Sequence, residues 1–185
     1  MPDFRELVSL VEAKSKKDQL EQAALPYGRN DLFPAMSQDT VDYHYGKLYK
    51  GYVDRYNKGE GDAEFNEAGA YLHSIYFTQF NNPSKRASKQ PNGLILDLIL
   101  RNHNNYKDFQ DRLAEEAMKI QGSGWIYLST RGEIKTIRNH AKRSDIALLI
   151  DWWEHAWALD YQADKDKYLK NLWRVIDWDA VNRRL

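Results

Sequence analysis

The sequence predicts an α+β chain. An N-terminal antiparallel helical hairpin is followed by a C-terminal lobe with a small three-stranded antiparallel sheet flanked by helices. Two patterns carry this expectation. Between residues 37 and 82, apolar side chains recur at three- and four-residue spacing on either side of a break at Gly59 to Asp62, as paired amphipathic helices require. Between 125 and 150 the pattern changes to short β-branched and aromatic runs separated by turn residues, which is the signature of strands.

The elements follow in order. Residues 3–22 read as a helix, with Phe4, Leu7, Val8, Leu10 and Val11 in a loose stripe. Ala23 to Pro34 holds two prolines and turns irregular. Ser37-Gln38-Asp39 combines a capping hydroxyl with an acid in the first turn, and the helix it starts runs to about Asn57. Its continuous face holds Val41, His44, Tyr45, Leu48, Tyr49 and Tyr52. A second helix over 65–82 aligns Gly69, Ala70, His73, Phe77 and Phe80. Packed as a hairpin, the two seams bring His44 and His73 together. Helices over 94–102 and 106–120 come next, stopped by Gly122-Ser123-Gly124. Strands are expected at 125–129, 134–137 and 145–150, then helices at 152–160, 165–175 and 178–184. The domain reading is 1–22 as an N-terminal extension helix, 23–90 as the helical hairpin, and 91–185 as the C-terminal α/β domain. The polar segment from Pro83 to Gly93 forms the boundary.

Composition excludes several classes of function. Basic and acidic residues balance at 27 each, so no nucleic acid or other polyanion is implied as a partner. No apolar stretch reaches the length of a membrane span. With no cysteine, disulfides, thiolate metal sites and cysteine nucleophiles are ruled out. The N-terminal stretch carries Asp3, Glu6 and Glu12 and no apolar signal core, which points to a cytoplasmic protein. Aromatic residues are abundant, with 12 Tyr and 6 Trp, enough to wall a water-excluding pocket or simply to fill a core.

The chemically pointed stretch is Asp151-Trp152-Trp153-Glu154-His155, directly after the apolar run Ile146 to Ile150. If the chain turns into a helix at Asp151, its carboxylate and the His155 imidazole face one point. A buried carboxylate needs a partner, and a metal ion is one. The plainer alternative has Asp151 capping a helix that starts at Trp152, with His155 an ordinary core histidine. Together, His44, His73, His155 and Asp151 form a sulfur-free donor set suited to iron, manganese or zinc.

Several motifs in one order resemble the iron/manganese superoxide dismutase family. They are Leu25-Pro26-Tyr27, His44-Tyr45-Gly46-Lys47 with Tyr52-Val53, Gly122-Ser123-Gly124-Trp125, and Asp151-Trp152-Trp153-Glu154-His155-Ala156 with Leu159-Asp160-Tyr161. The resemblance implies an Fe or Mn cofactor, one ion per subunit, held by His44, His73, Asp151 and His155 with a solvent ligand, and superoxide as substrate. It makes Tyr52 a gateway residue and Trp125 and Trp153 an aromatic wall, with Phe77 where the family often has tryptophan. Gly69 matches the manganese type. His140 stands where a glutamine usually bonds the metal-bound solvent; a surface histidine beside Lys142 and Arg143 is the alternative for it. The family also implies a homodimer in which Glu154 bonds the partner's ligand histidine. Leu48 and Ala158 replace a second histidine and a tyrosine that commonly bond across that interface. A catalytically inactive structural or interaction protein of the same fold is the competing reading, and such relatives tend to lose their ligands.

Overall fold

The computed structural model describes residues 19–185. The part of the expected first helix that covers residues 3–18 lies outside the described residues. Residues 19–22 are irregular rather than helical. They lie along the hairpin, where Asn57 bonds both the N–H and the carbonyl of Leu20 and the Tyr49 hydroxyl accepts from Ala23.

The first hairpin arm begins at Ser37, whose hydroxyl accepts the Thr40 N–H. It comprises α1 (Gln38–Tyr43), a π-helical stretch (His44–Tyr49) and α2 (Lys50–Lys58). Gly59 ends it in the left-handed conformation at φ 68°, which glycine adopts without steric cost. Asp62 caps α3 (Ala63–Thr78) through the Phe65 N–H. This helix starts two residues earlier than the apolar pattern indicates and ends at Thr78 rather than 82. Past that point Asn81 and Asp177 exchange backbone bonds with Val175 and Gln79, and these replace the helical ladder.

The second lobe contains α4 (Gly93–Asn102), α5 (Tyr106–Met118) and three strands, β1 (Gly124–Ser129), β2 (Ile134–Arg138) and β3 (Ile146–Asp151). The sheet is antiparallel in the order β2-β1-β3, and Trp125 on β1 stands opposite Asp151 on β3. β1 and β3 are buried along their whole length while β2 is largely open, so the uninterrupted apolar runs reflect two covered faces. Three helices follow, α6 (Ala158–Tyr161), α7 (Lys165–Leu172) and α8 (Trp178–Asn182). All three are shorter than expected. The helix anticipated over 152–160 is the most altered. The strand continues through Asp151, residues 152 and 153 are irregular, and a single 3-10 turn (Glu154–Ala156) precedes α6.

Candidate metal centre

Four side chains meet between the two lobes. His44 opens the π-helical stretch, His73 lies inside α3, Asp151 ends β3, and His155 sits in the 3-10 turn. One donor atom from each lies within 4.8 Å of the others. The Nε2 atoms of His44, His73 and His155 stand 3.1, 3.8 and 3.3 Å from Asp151 Oδ2. Asp151, His44 and His73 are fully buried, and the His155 side chain is 15% exposed.

Asp151 does not cap a helix starting at Trp152. Its Oδ1 accepts the Trp153 N–H at 2.8 Å, which leaves Oδ2 facing the imidazoles. Burial works to raise its pKa, but the charge and hydrogen bond of His155, together with His44, hold it well below the usual carboxylate range. Burial pushes His44 down to about 4, against the opposing pull of Asp151, and lowers His73 well below its ordinary value. Near neutral pH those two imidazoles are therefore uncharged beside an ionised carboxylate.

The His73 tautomer is set by its own helix. Its Nδ1 lies 2.7 Å from the Gly69 carbonyl. A carbonyl only accepts, so Nδ1 holds the proton and Nε2 presents a lone pair to the centre. Neither His73 Nε2 nor His44 Nε2 has a hydrogen-bond partner among the described residues. Two buried, unsatisfied nitrogens aimed at one carboxylate oxygen form a costly arrangement unless a cation lies among them. Metal bonds of about 2.1 Å would place adjacent donors about 3 to 4 Å apart, close to the separations found. The residues present fit an ion that prefers imidazole and carboxylate donors.

The surroundings are aromatic. Phe77 meets His44 edge to face at 4.8 Å, and Trp125 meets His73 at 5.0 Å. Tyr49 stacks on His73 at 5.7 Å. Tyr52 lies 5.2 Å from His73 and 4.9 Å from His140. Burial, and then the Asp151 charge, push the Tyr52 hydroxyl up to about 12. His140 is only 9% exposed, so the alternative of a surface histidine fails. It stacks on Trp153 at 4.5 Å and accepts the Trp125 indole N–H on Nδ1 at 3.1 Å. A neutral ring accepting on Nδ1 carries its proton on Nε2. That Nε2 is buried with no partner among the described residues, and burial lowers the group to about 4. Gly69 makes this packing possible. A Cβ there would stand 2.9 Å from the Tyr52 ring and 3.2 Å from His140 Cδ2.

On the outer side, Glu154 is exposed. With Tyr43, Ser123, Trp153, His155, Ala158 and Leu159 it lines a shallow depression of about 570 Å³.

Periodicity missed two polar supports. The Tyr168 hydroxyl donates to the Asp151 carbonyl at 2.9 Å and lies 3.0 Å from the Tyr76 hydroxyl. Gln79 bonds the backbone of β3. The one local signal for Gln79 was an amide lying between Phe77 and Phe80.

A helical hairpin supplying two histidines, joined to a lobe supplying an aspartate and a histidine from one strand end, defines a fold with a candidate site for one metal ion, built of three histidines and one aspartate. Comparison with known families narrows the class. The alpha-hairpin domain model of the iron/manganese superoxide dismutases matches residues 19–67, and the C-terminal domain model matches 91–184. The chain belongs to the iron/manganese superoxide dismutase family. Among curated proteins it is similar to the superoxide dismutase (Fe) of Bacteroides fragilis, with 34% identity over 89% of this chain and 98% of the relative. It is likewise similar to the superoxide dismutase (Mn/Fe) of Porphyromonas gingivalis, with 33% identity over 89% and 98%. The superoxide dismutase (Fe) of Pyrobaculum aerophilum is 31% identical over 87% and 89%.

Proposed function

We propose that this chain dismutates superoxide at one iron or manganese ion held by His44, His73, Asp151 and His155. The observation that carries this reading is the pair of buried, unpartnered Nε2 atoms of His44 and His73 facing Asp151. When bound, the ion supplies the alternation between trivalent and divalent states that takes an electron from one superoxide and gives it to the next. Two superoxide ions and two protons then yield dioxygen and hydrogen peroxide. The protein supplies the rest. One carboxylate against neutral imidazoles leaves the site net positive once loaded, which draws in a small anion. Phe77, Trp125, Trp153 and Tyr52 keep the pocket narrow and dry. The high pKa of Tyr52 keeps its hydroxyl protonated and able to donate across the working pH range. The unspent Nε2–H of His140 is the donor for solvent at the ion, in the role the family usually gives to glutamine. The complete donor set argues against an inactive structural relative.

Protein purified without added metal is expected to contain iron, manganese or both by elemental analysis. After removal of the ion and separate reconstitution, at least one metal should restore superoxide consumption. Full metal content with no superoxide consumption would defeat the reading.

The same reading makes the chain a homodimer. Two copies would meet across the depression at Glu154, each glutamate reaching the His155 ring of the other. Among the described residues, His155 hydrogen-bonds only through Nε2. Ala158 lines this depression and, like Leu48, carries no polar group to satisfy. Glu154→Ala is expected to shift the sedimentation equilibrium toward monomer, and an unchanged dimer would remove Glu154 from the interface.

A further inference from the structure

We infer that Gln79 is a positioning residue that sets the register between the helix carrying His73 and the strand carrying Asp151. The inference rests on the four-ligand reading and adds to it the device that keeps the two lobes' donors at bonding distance. Among the described residues β3 lies at the edge of the sheet, so one side of its backbone has no neighbouring strand there. A buried strand edge must find other partners, and here side chains provide them. Arg184 donates to the Ala147 carbonyl at 3.0 Å. Gln79 spans both groups of Leu149, accepting its N–H on Oε1 at 3.1 Å and donating Nε2–H to its carbonyl. Tyr168 takes the Asp151 carbonyl at 2.9 Å. Alternate residues 147, 149 and 151 are thereby fixed from outside the sheet.

Gln79 differs from the other two in where it comes from. It is the C-terminal cap of α3, the helix that carries His73, and it is fully buried. Its two-point clamp closes on Leu149, two residues before the ligand Asp151. A slip of α3 along β3 would have to break both bonds at once. Arg184 fixes which way the amide faces. The guanidinium can only donate, and its Nη1 lies 3.2 Å from Gln79 Oε1, so the oxygen must be on that side and the NH₂ on the Leu149 carbonyl. The same guanidinium reaches back to α3 at the Ile75 carbonyl (2.8 Å) and the Thr78 hydroxyl (3.4 Å). The C-terminus of α3 is thus gripped by the end of the chain while its last side chain grips β3.

The test compares manganese-loaded protein with its Gln79→Met variant, which keeps the volume and removes both hydrogen bonds. Leu113→Ala, a core truncation on α5 away from the centre, serves as a control that lowers stability without touching this contact. The readouts are the rate of manganese release to a chelator and the Mn(II) electron paramagnetic resonance spectrum. Gln79→Met is expected to release metal at least about tenfold faster, the scale on which outer partners of metal ligands act, and to show an altered spectrum. Leu113→Ala should melt earlier yet keep the parent rate and spectrum. Parent-like release and spectrum in folded Gln79→Met would overturn the inference, as would equal acceleration in both variants. If Gln79→Met does not fold, Gln79→Asn, one methylene too short to close the clamp, is held to the same criteria. A parent protein that loads no metal would instead bring down the four-ligand reading, which separates the two failures.

Discussion

Asp151→Asn is expected to abolish metal binding and dismutation while leaving the fold intact. The substitution removes the one ionised ligand, and an amide cannot balance a di- or trivalent ion among neutral imidazoles. The loss should exceed the roughly 10- to 100-fold that removing an outer partner of a metal ligand costs. Local structure should survive, because the asparagine oxygen can still accept the Trp153 N–H now bound by Oδ1. Its NH₂ can donate to an imidazole that lacks a partner. The metal-free variant should melt earlier than the metal-free parent, since the folded state holds the Asp151 carboxylate well below its usual pKa and so draws stability from its charge at neutral pH. Asp151→Ala should lose the metal equally and also leave the Trp153 N–H unpaired, at a cost of about 1–3 kcal/mol. His73→Ala belongs with it. Elemental analysis and thermal melting check each variant, and full metal content in Asp151→Asn would remove that residue from the ligand set.

Gly69→Ala should weaken the protein at a position where helix propensity favours the change. In an exposed helix interior, alanine is about 1 kcal/mol better than glycine. Here the added methyl would lie 2.9 Å from the Tyr52 ring. That ring is held by Phe65, His73 and His140, and cannot swing clear as the tip of a flexible chain could. Overpacking of this kind costs about 1–3 kcal/mol, so the melting temperature should fall. Activity per bound metal should drop by about tenfold or more, because the groups displaced are the hydroxyl and imidazole that border the centre. A higher melting temperature with unchanged activity would show that Gly69 is no more than a spacer.

Much of the fold and the convergence of the four side chains could be read from the residues for local reasons, whereas their role as ligands came from the family resemblance. His44 and His73 lie on apolar stripes whose period fixes their direction, and Asp151 follows a run too apolar to be anything but buried. Other features escaped because nothing local encodes them. The π-helical stretch at His44–Tyr49 carries no proline, and its one local irregularity, Gly46, does not by itself specify a wider turn; tertiary contacts such as the Tyr49 stack on His73 accompany it. The strand runs on through Asp151 because Trp125 pairs with it from β1, a constraint that arises from far along the chain. Capping of the β3 edge by Gln79, Tyr168 and Arg184 joins side chains to backbone across long separations, and no spacing rule records that. Gly69 stood out through family resemblance, but only coordinates explain why a side chain is excluded there.

The split origin of the donors has a consequence for biosynthesis. A chain that has emerged only as far as Thr78 possesses His44 and His73 and nothing more of the chelate, and the later half alone possesses Asp151 and His155. Neither bidentate fragment can compete for an ion as the assembled quartet does. High affinity is thus earned only when contacts of long sequence separation have closed, the slowest kind to form. On the four-ligand reading, metal capture by this polypeptide would report finished tertiary assembly.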